Sequence, residues 1–213
     1  MAPTSSHFPR SRSALLIVDV INPLDFEGAE ALRPHAIRAV RRIAALAARA
    51  RKARVPVIFV NDNRGRWRSE FRELVRMSVA DSDTGAGIVE QLQPGDDDYS
   101  VLKPKHSAFY ATPLDLLLRH LRVQRLIVTG VASDQCIVIS AAEARMRDYD
   151  VVVPRDCVGA PSAARNAAAL RQLAESHRIA TPLSSRLRLP ARAVAGRDGR
   201  RGKQGGARRQ RGG

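Results

Sequence analysis

Residues 126–159 read LIVTGVASDQCIVISAAEARMRDYDVVVPRDCVG, and the fold class follows from this stretch. With Arg125 before it, its opening gives a short β-branched apolar run over 125–130 that stops at Gly130. A continuous apolar run of that length reads as a strand buried on both faces, not as an alternating, half-exposed one. From Cys136 to Arg147 the pattern turns to Ala, Glu and Arg between spaced apolar residues, which predicts a helix. Residues 150–154 (DVVVP) are a second strand. Strand, helix and strand in about thirty residues make a βαβ unit, whose two strands run parallel.

The alternation continues outward from this unit. Residues 14–20 (ALLIVDV) form a first strand, halted at Asn22-Pro23. A helix is expected over 30–53, where Ile37, Val40, Ile43 and Ala47 follow a near-3.6 period. Residues 55–61 (VPVIFVN) are another strand, and 100–103 lie in a further one. Thr112 is placed to cap a helix over 113–121, with Pro113 in its first turn. A helix over 163–175 and a short last strand over 178–181 complete the series, with no internal repeat. The expected fold is α/β: a three-layer α/β/α arrangement with a parallel sheet covered on both faces, Rossmann-like.

Composition agrees with one domain. The chain has 213 residues, 44% of them apolar, so it can bury a core. Aromatics are only 4%, so Ala, Val, Leu and Ile must build that core. Cys136 and Cys157 are too few for a disulfide framework and lack metal-ligand spacing. The formal net charge is +15, but residues 186–213 hold ten Lys or Arg and one Asp, and Arg10 and Arg12 lie at the other end. The domain is therefore expected over 13–185, after a flexible N-terminus over 1–12. The Arg/Gly-rich tail over 186–213 lacks apolar periodicity and is expected to be disordered, because it cannot offset the entropy of ordering. Such a tail supports at most weak, nonspecific phosphate contact. Apolar runs fall far short of a membrane span, and a cytoplasmic setting is the expectation.

Ligands of open parallel sheets bind at the carboxyl ends of the strands. Asp19 ends the first strand, Lys103 the third, and Cys136 follows the fourth. Taken singly, each has an ordinary reading: a turn-forming Asp, a solvated Lys, a small core Cys. Together at one sheet edge they form a candidate nucleophilic site.

Four stretches carry a resemblance. ALLIVDVINPLDF, VIFVNDNRGRW, VLKPKHSAFYATPLDLLL and LIVTGVASDQCIVISAAEARMRDYDVVVPRDCVGA together resemble the isochorismatase-like cysteine hydrolases, a family that includes nicotinamidases, carbamoyl-amide hydrolases and isochorismatases. The most specific pieces are K-x-x-x-S-A-F from Lys103 and T-G-V-x-x-x-x-C ending at Cys136. The resemblance implies a six-stranded sheet, a catalytic triad of Asp19, Lys103 and Cys136, and a homo-oligomer. It also implies an oxyanion hole of the Ala132 and Cys136 amides, with a cis Val131–Ala132 peptide, and needs no cofactor. A helix start at Cys136 and a nearby Lys103 would favour thiolate, while Asp19 would take and return the proton.

Departures from the family pattern narrow the reaction. Metal-binding nicotinamidases carry a D-x-H ligand motif where this chain has Asp62-Asn63-Arg64. Arginine offers no lone pair to a metal, so no metal and no nicotinamide are expected. His7, His35, His106, His120 and His177 show no ligand spacing and read as surface or loop residues. Arg64, Trp67, Phe109 and Val131 are the candidate substrate-binding residues. Arg64 could grip a carboxylate or simply be a solvated cation, and Phe26 and Phe109 could line the site or pack. Asp62 is matched to loop amides and Cys157 to a structural role. The expected activity is cleavage of a C–N bond in a small amide or ureido substrate. The alternatives are vinyl-ether hydrolysis of the isochorismatase type and a nucleic-acid-associated protein acting through its tail.

Overall fold

The structure is a computed structural model that describes residues 12–65, 68 and 70–189. Its elements are β1 (Ser13–Val18), α1 (Ala29–Lys52), β2 (Val57–Asp62), α2 (Phe71–Asp81), α3 (Asp83–Gln91), β3 (Tyr99–Lys103), α4 (Leu114–His120), β4 (Arg125–Val131), α5 (Val138–Met146), β5 (Asp150–Val152), β6 (Val158–Gly159) and α6 (Ala163–Glu175). The strands form one parallel six-stranded sheet in the order β3-β2-β1-β4-β5, with β6 beside the far end of β4.

The period-2 geometry of strands divides the core in two. Leu16 and Val18 of β1, Ile58 and Val60 of β2, and Leu126 and Val128 of β4 face one apolar layer. There they meet Leu114 and Leu118 of α4, Ala141 and Ala144 of α5, and Leu173 of α6. Leu15, Ile17, Val57, Phe59 and Ile127 face the opposite layer, against Leu32, Ala36, Val40 and Ile43 of α1 and Ile88 of α3. Every residue of β1 is buried, as a strand covered on both faces requires.

Chain order makes β1 the pivot. The chain leaves β1 for β2 and β3 on one side and returns to β4 on its other side. The carboxyl ends of β1 and β4 therefore flank the topological switch point of the sheet, the position at which open parallel sheets bind their ligands.

Several expectations differ in detail. The first strand stops at Val18, not at residue 20, because Asp19 adopts a left-handed backbone with φ 54°. The sixth strand is Val158–Gly159; the expected one over 178–181 is reduced to a single bridge between Val152 and Ala180. Helices α2 and α3 fall in a stretch to which no element was matched. Ser82 separates them, its hydroxyl accepting from Gly85 N and donating to Pro23 O. At Gly85 a Cβ would come within 2.1 Å of Ser78 O, so the glycine that weakens the helical pattern is what lets the two helices approach. Helix α4 begins at Leu114, one residue later than expected, with Thr112 Oγ1 accepting from Leu114 N at 3.3 Å.

Packed chain continues past the expected boundary at 185. Leu187 is buried, and Arg49 donates to Ser184 O at 2.9 Å and Leu187 O at 2.7 Å. The expectations for residues 1–11 and 190–213 lie outside the described residues.

Candidate active site

Backbone geometry brings the carboxyl ends of three strands together. Asp19 remains tied to β2 through its amide, which donates to Val60 O at 2.9 Å. Its carboxylate accepts from Asp62 N on Oδ1 at 2.7 Å and faces Lys103 Nζ on Oδ2 at 2.8 Å. Lys103 is the last residue of β3, in register with Asp62. Its long side chain reaches past β2, a lateral distance of about 5 Å per strand, to the end of β1. The side chain is only 1% exposed. Nζ also donates to Lys105 O at 3.1 Å and lies 3.7 Å from Cys136 Sγ and 3.7 Å from Asp62 Oδ2.

Cys136 arrives from β4 through a π-helical turn, Ser133–Ile137, in which Ala132 O accepts from Gln135 N and Ile137 N. The Val131–Ala132 peptide just before it is cis. Gly130 permits this approach. Its φ is 122°, and a Cβ there would lie 2.0 Å from Val18 O, so any larger residue would push β4 away from β1 and from Asp19.

Burial and pairing together set the charges of the site. Burial, reinforced by the neighbouring Asp19 carboxylate, pushes the Cys136 thiol from 9.0 up to about 12, and Lys103 only partly counters this. The Lys103 ammonium is paired with Asp19 at 2.8 Å and stands 3.7 Å from sulfur, so it offsets only part of the cost of burying a charge on Cys136. Burial also raises Asp19 above its ordinary 3.8, against the lowering pull of Lys103 and of its hydrogen bond with Cys136. A carboxylate held in this way is a stronger base than a free one. Burial pushes Lys103 down, yet Asp19, Cys136 and Asp62 together outweigh it and hold the ammonium above its ordinary value.

The segment after Lys103 is tied to α5. Ser107 donates to the Glu143 carboxylate and accepts from Phe109 N, and Ala108 N donates to Ser140 Oγ. Glu143 in turn accepts from Arg147, whose guanidinium lies 5.1 Å over the Phe109 ring. His106 is held between these anchors. Its side chain is exposed, and Nδ1 lies 3.6 Å from Cys136 Sγ. The sequence reading grouped it with four unremarkable histidines. Its position three residues after Lys103 was the available signal.

The other expected site residues scatter. Phe109 is buried in the core, stacked on Tyr149 at 6.2 Å, so of its two readings the structure selects packing. Val131 packs in the opposite layer, and Phe26 is exposed. Arg64 pairs with Asp25 at 3.0 Å, and its own amide donates to Asp62 Oδ1 at 2.6 Å, the loop-amide partner expected of Asp62. Trp67 lies outside the described residues. Cys157 is fully buried in a short 3-10 turn, where Asp156 takes both the amide and the hydroxyl of Ser184. Among the described residues, no group of three or more His, Cys, Asp and Glu is arranged to hold a metal, and no helix is long and apolar enough to cross a membrane.

This arrangement can be set beside known proteins. A family model described as the isochorismatase domain matches residues 13–186. The chain belongs to the isochorismatase family. Within it, the chain is 35% identical over 164 residues to the uncharacterized isochorismatase family protein YaaI of Bacillus subtilis, covering 77% of this chain and 90% of that protein. It is 28% identical over 181 residues to the ureidoacrylate amidohydrolase RutB of Yersinia enterocolitica, covering 70% of this chain and 76% of that protein. The crystal structure of N-carbamoylsarcosine amidase from Thermoplasma acidophilum matches with a TM-score of 0.65 at 25% identity, over 83% of this chain and 98% of that one. The α/β/α architecture of this isochorismatase-family chain, built on a six-stranded sheet, matches the fold of that amidase structure.

Proposed function

We propose that this isochorismatase-family chain is a cysteine hydrolase that cleaves the C–N bond of a small amide or ureido substrate through a thioester on Cys136. The observation that supports this most directly is the contact of a buried Asp19–Lys103 pair with one thiol at the switch point of the sheet. The amidohydrolase and amidase among its relatives support the substrate class.

In this reading Asp19 takes the thiol proton as sulfur attacks the substrate carbonyl carbon. Lys103 stays protonated and balances first the carboxylate and then the developing thiolate. The amides of Ala132 and Cys136 receive the oxyanion, each a contribution of about 3 kcal/mol. Collapse of the tetrahedral intermediate breaks the C–N bond, and Asp19 returns the proton to the leaving amine. Water then hydrolyses the thioester.

The test is a panel of small primary amides and ureido acids assayed for ammonia. The wild-type chain releases ammonia from at least one; Cys136→Ala releases none while keeping its fold; Cys157→Ala retains most of the rate. Full ammonia release by Cys136→Ala, or pyruvate from a vinyl ether in place of ammonia, would overturn the proposal.

A further inference from the structure

The turn that carries the nucleophile is gripped by a helix from outside the site. Asp134 lies in that turn, between Ala132 and Cys136, whose amides receive the oxyanion in the reading above. Its Oδ2 accepts from Arg165 Nε at 2.5 Å. Arg165 stands in the first turn of α6, where its own amide donates to the Ser162 hydroxyl at 3.2 Å. The start of α6 is itself anchored. Strand β6, just before it, pairs with Gly130 and Val131 at the end of β4, and Ala169 and Leu173 seat the helix in the core. The ion pair differs from an ordinary surface one. Asp134 is 16% exposed, and its Oδ1 is buried with no hydrogen-bond partner among the described residues; Arg165 is 51% exposed. An exposed ion pair contributes little to stability, and a buried carboxylate with an unsatisfied oxygen costs some of it. What the pair supplies is a fixed position for the turn.

We infer that Arg165 is a positioning residue for the oxyanion donors, acting through Asp134. This rests on the thioester reading above and deepens it. The Ala132 and Cys136 amides stabilise one developing oxyanion only if both are aimed at it before the reaction begins. The bonds from Gln135 N and Ile137 N to Ala132 O close the turn on itself but do not fix it relative to the sheet. Arg165 does, from a helix seated in the core. Without it the Asp134 carboxylate is buried and unpaired, so it swings toward water and takes the turn with it. A displacement of about 1 Å at a reacting centre can cost about 100-fold in rate. The thiol stands on a separate footing. The charges that bear on it are Asp19 and Lys103, from the ends of β1 and β3. The Arg165–Asp134 pair therefore governs where the oxyanion is held, not how readily sulfur gives up its proton.

The experiment compares two reagents at Cys136 in the full chain. 4-Nitrophenyl acetate is attacked at a carbonyl and passes through an oxyanion; its nitrophenolate burst reads acylation. Iodoacetamide is attacked at a saturated carbon and forms no oxyanion; intact mass reads its alkylation. In Arg165→Ala the acylation rate falls about 10- to 50-fold, short of the ~100-fold or more lost with an oxyanion donor itself, while alkylation stays within about 2-fold of wild type. Arg165→Lys, which keeps a cation beside Asp134, recovers acylation to within about 5-fold. Asp134→Ala matches Arg165→Ala, and the double variant is no slower than the slower single one, because the two residues act as a unit. Unchanged acylation in Arg165→Ala, an equal fall with both reagents, no recovery in Arg165→Lys, or losses that multiply in the double variant would each overturn the assignment of Arg165. A wild-type chain that is not acylated at Cys136, or a burst that persists in Cys136→Ala, would instead remove the thioester reading, and this inference with it.

Discussion

Replacing Lys103 by Met exposes how the site is held together. The ammonium lies 2.8 Å from Asp19 Oδ2, with side-chain exposures of 1% and 12%. At an effective dielectric near 20, attraction over that distance is on the order of 6 kcal/mol before desolvation is subtracted. Removing one partner leaves the other charge buried and uncompensated, which typically costs about 3–5 kcal/mol. A domain of ordinary stability, about 5–15 kcal/mol, would survive with a much reduced margin. Urea unfolding of Lys103→Met, Asp19→Asn and the double variant forms a double-mutant cycle. The double variant should be more stable than the sum of the single losses predicts, by about 1–3 kcal/mol, because neither charge is then left alone. All three proteins should be inactive in ammonia release. Losses that add to within about 0.5 kcal/mol would show that the two side chains are not coupled, and the electrostatic account of the site would fail.

Alkaline stability follows from the thiols: Cys136 and Cys157 are both pushed from 9.0 to about 12 by burial, with nearby carboxylates adding to it. Their folded-state values are raised, so the stability they contribute is complete below pH 9 and is lost as pH climbs toward 12; Cys136→Ala and Cys157→Ala should each flatten that decline in pH-dependent urea titrations. If the proposed ammonia release holds, exhaustive chelation with EDTA should leave its rate unchanged, since the family resemblance sets Arg64 against the ligand histidine of the metal-binding nicotinamidases; a loss restored by zinc or manganese would refute this. A chain ending at Leu189 should keep its melting temperature and rate while losing retention on heparin at low salt. One ending at Ser185 should be less stable by about 1–3 kcal/mol, because it gives up buried Leu187 and the acceptor at Leu187 O for Arg49; equal melting of the two would refute that packing.

Local chain chemistry was enough to determine the layered parallel fold. Buried runs such as ALLIV and LIVTGV, alternating with helical periods, admit little else, and these runs fill β1 and β4. It also placed Asp19, Lys103 and Cys136 at one edge, because the carboxyl ends of parallel strands share a side of the sheet. What it could not determine depends on how strands are ordered and on what is buried. The order β3-β2-β1-β4 decides that Lys103 reaches over β2 to Asp19. That contact commits the lysine's charge to Asp19, and burial pushes the Cys136 thiol up, a balance that proximity in sequence to a cation does not contain. The pattern of residues 71–91, broken by Ser82 and two glycines, hid α2 and α3, since Gly85 serves a close approach that only packing reveals. The last strand went to Val158–Gly159, which pair with Gly130 and Val131 at the far end of β4, while residues 178–181 make only one bridge, from Ala180 to Val152 of β5. His106 and Phe109 are three residues apart in one motif, yet one faces the sulfur and the other the core. Their difference lies in side-chain direction along a loop tied to α5, a property of tertiary contacts that one-dimensional spacing does not contain.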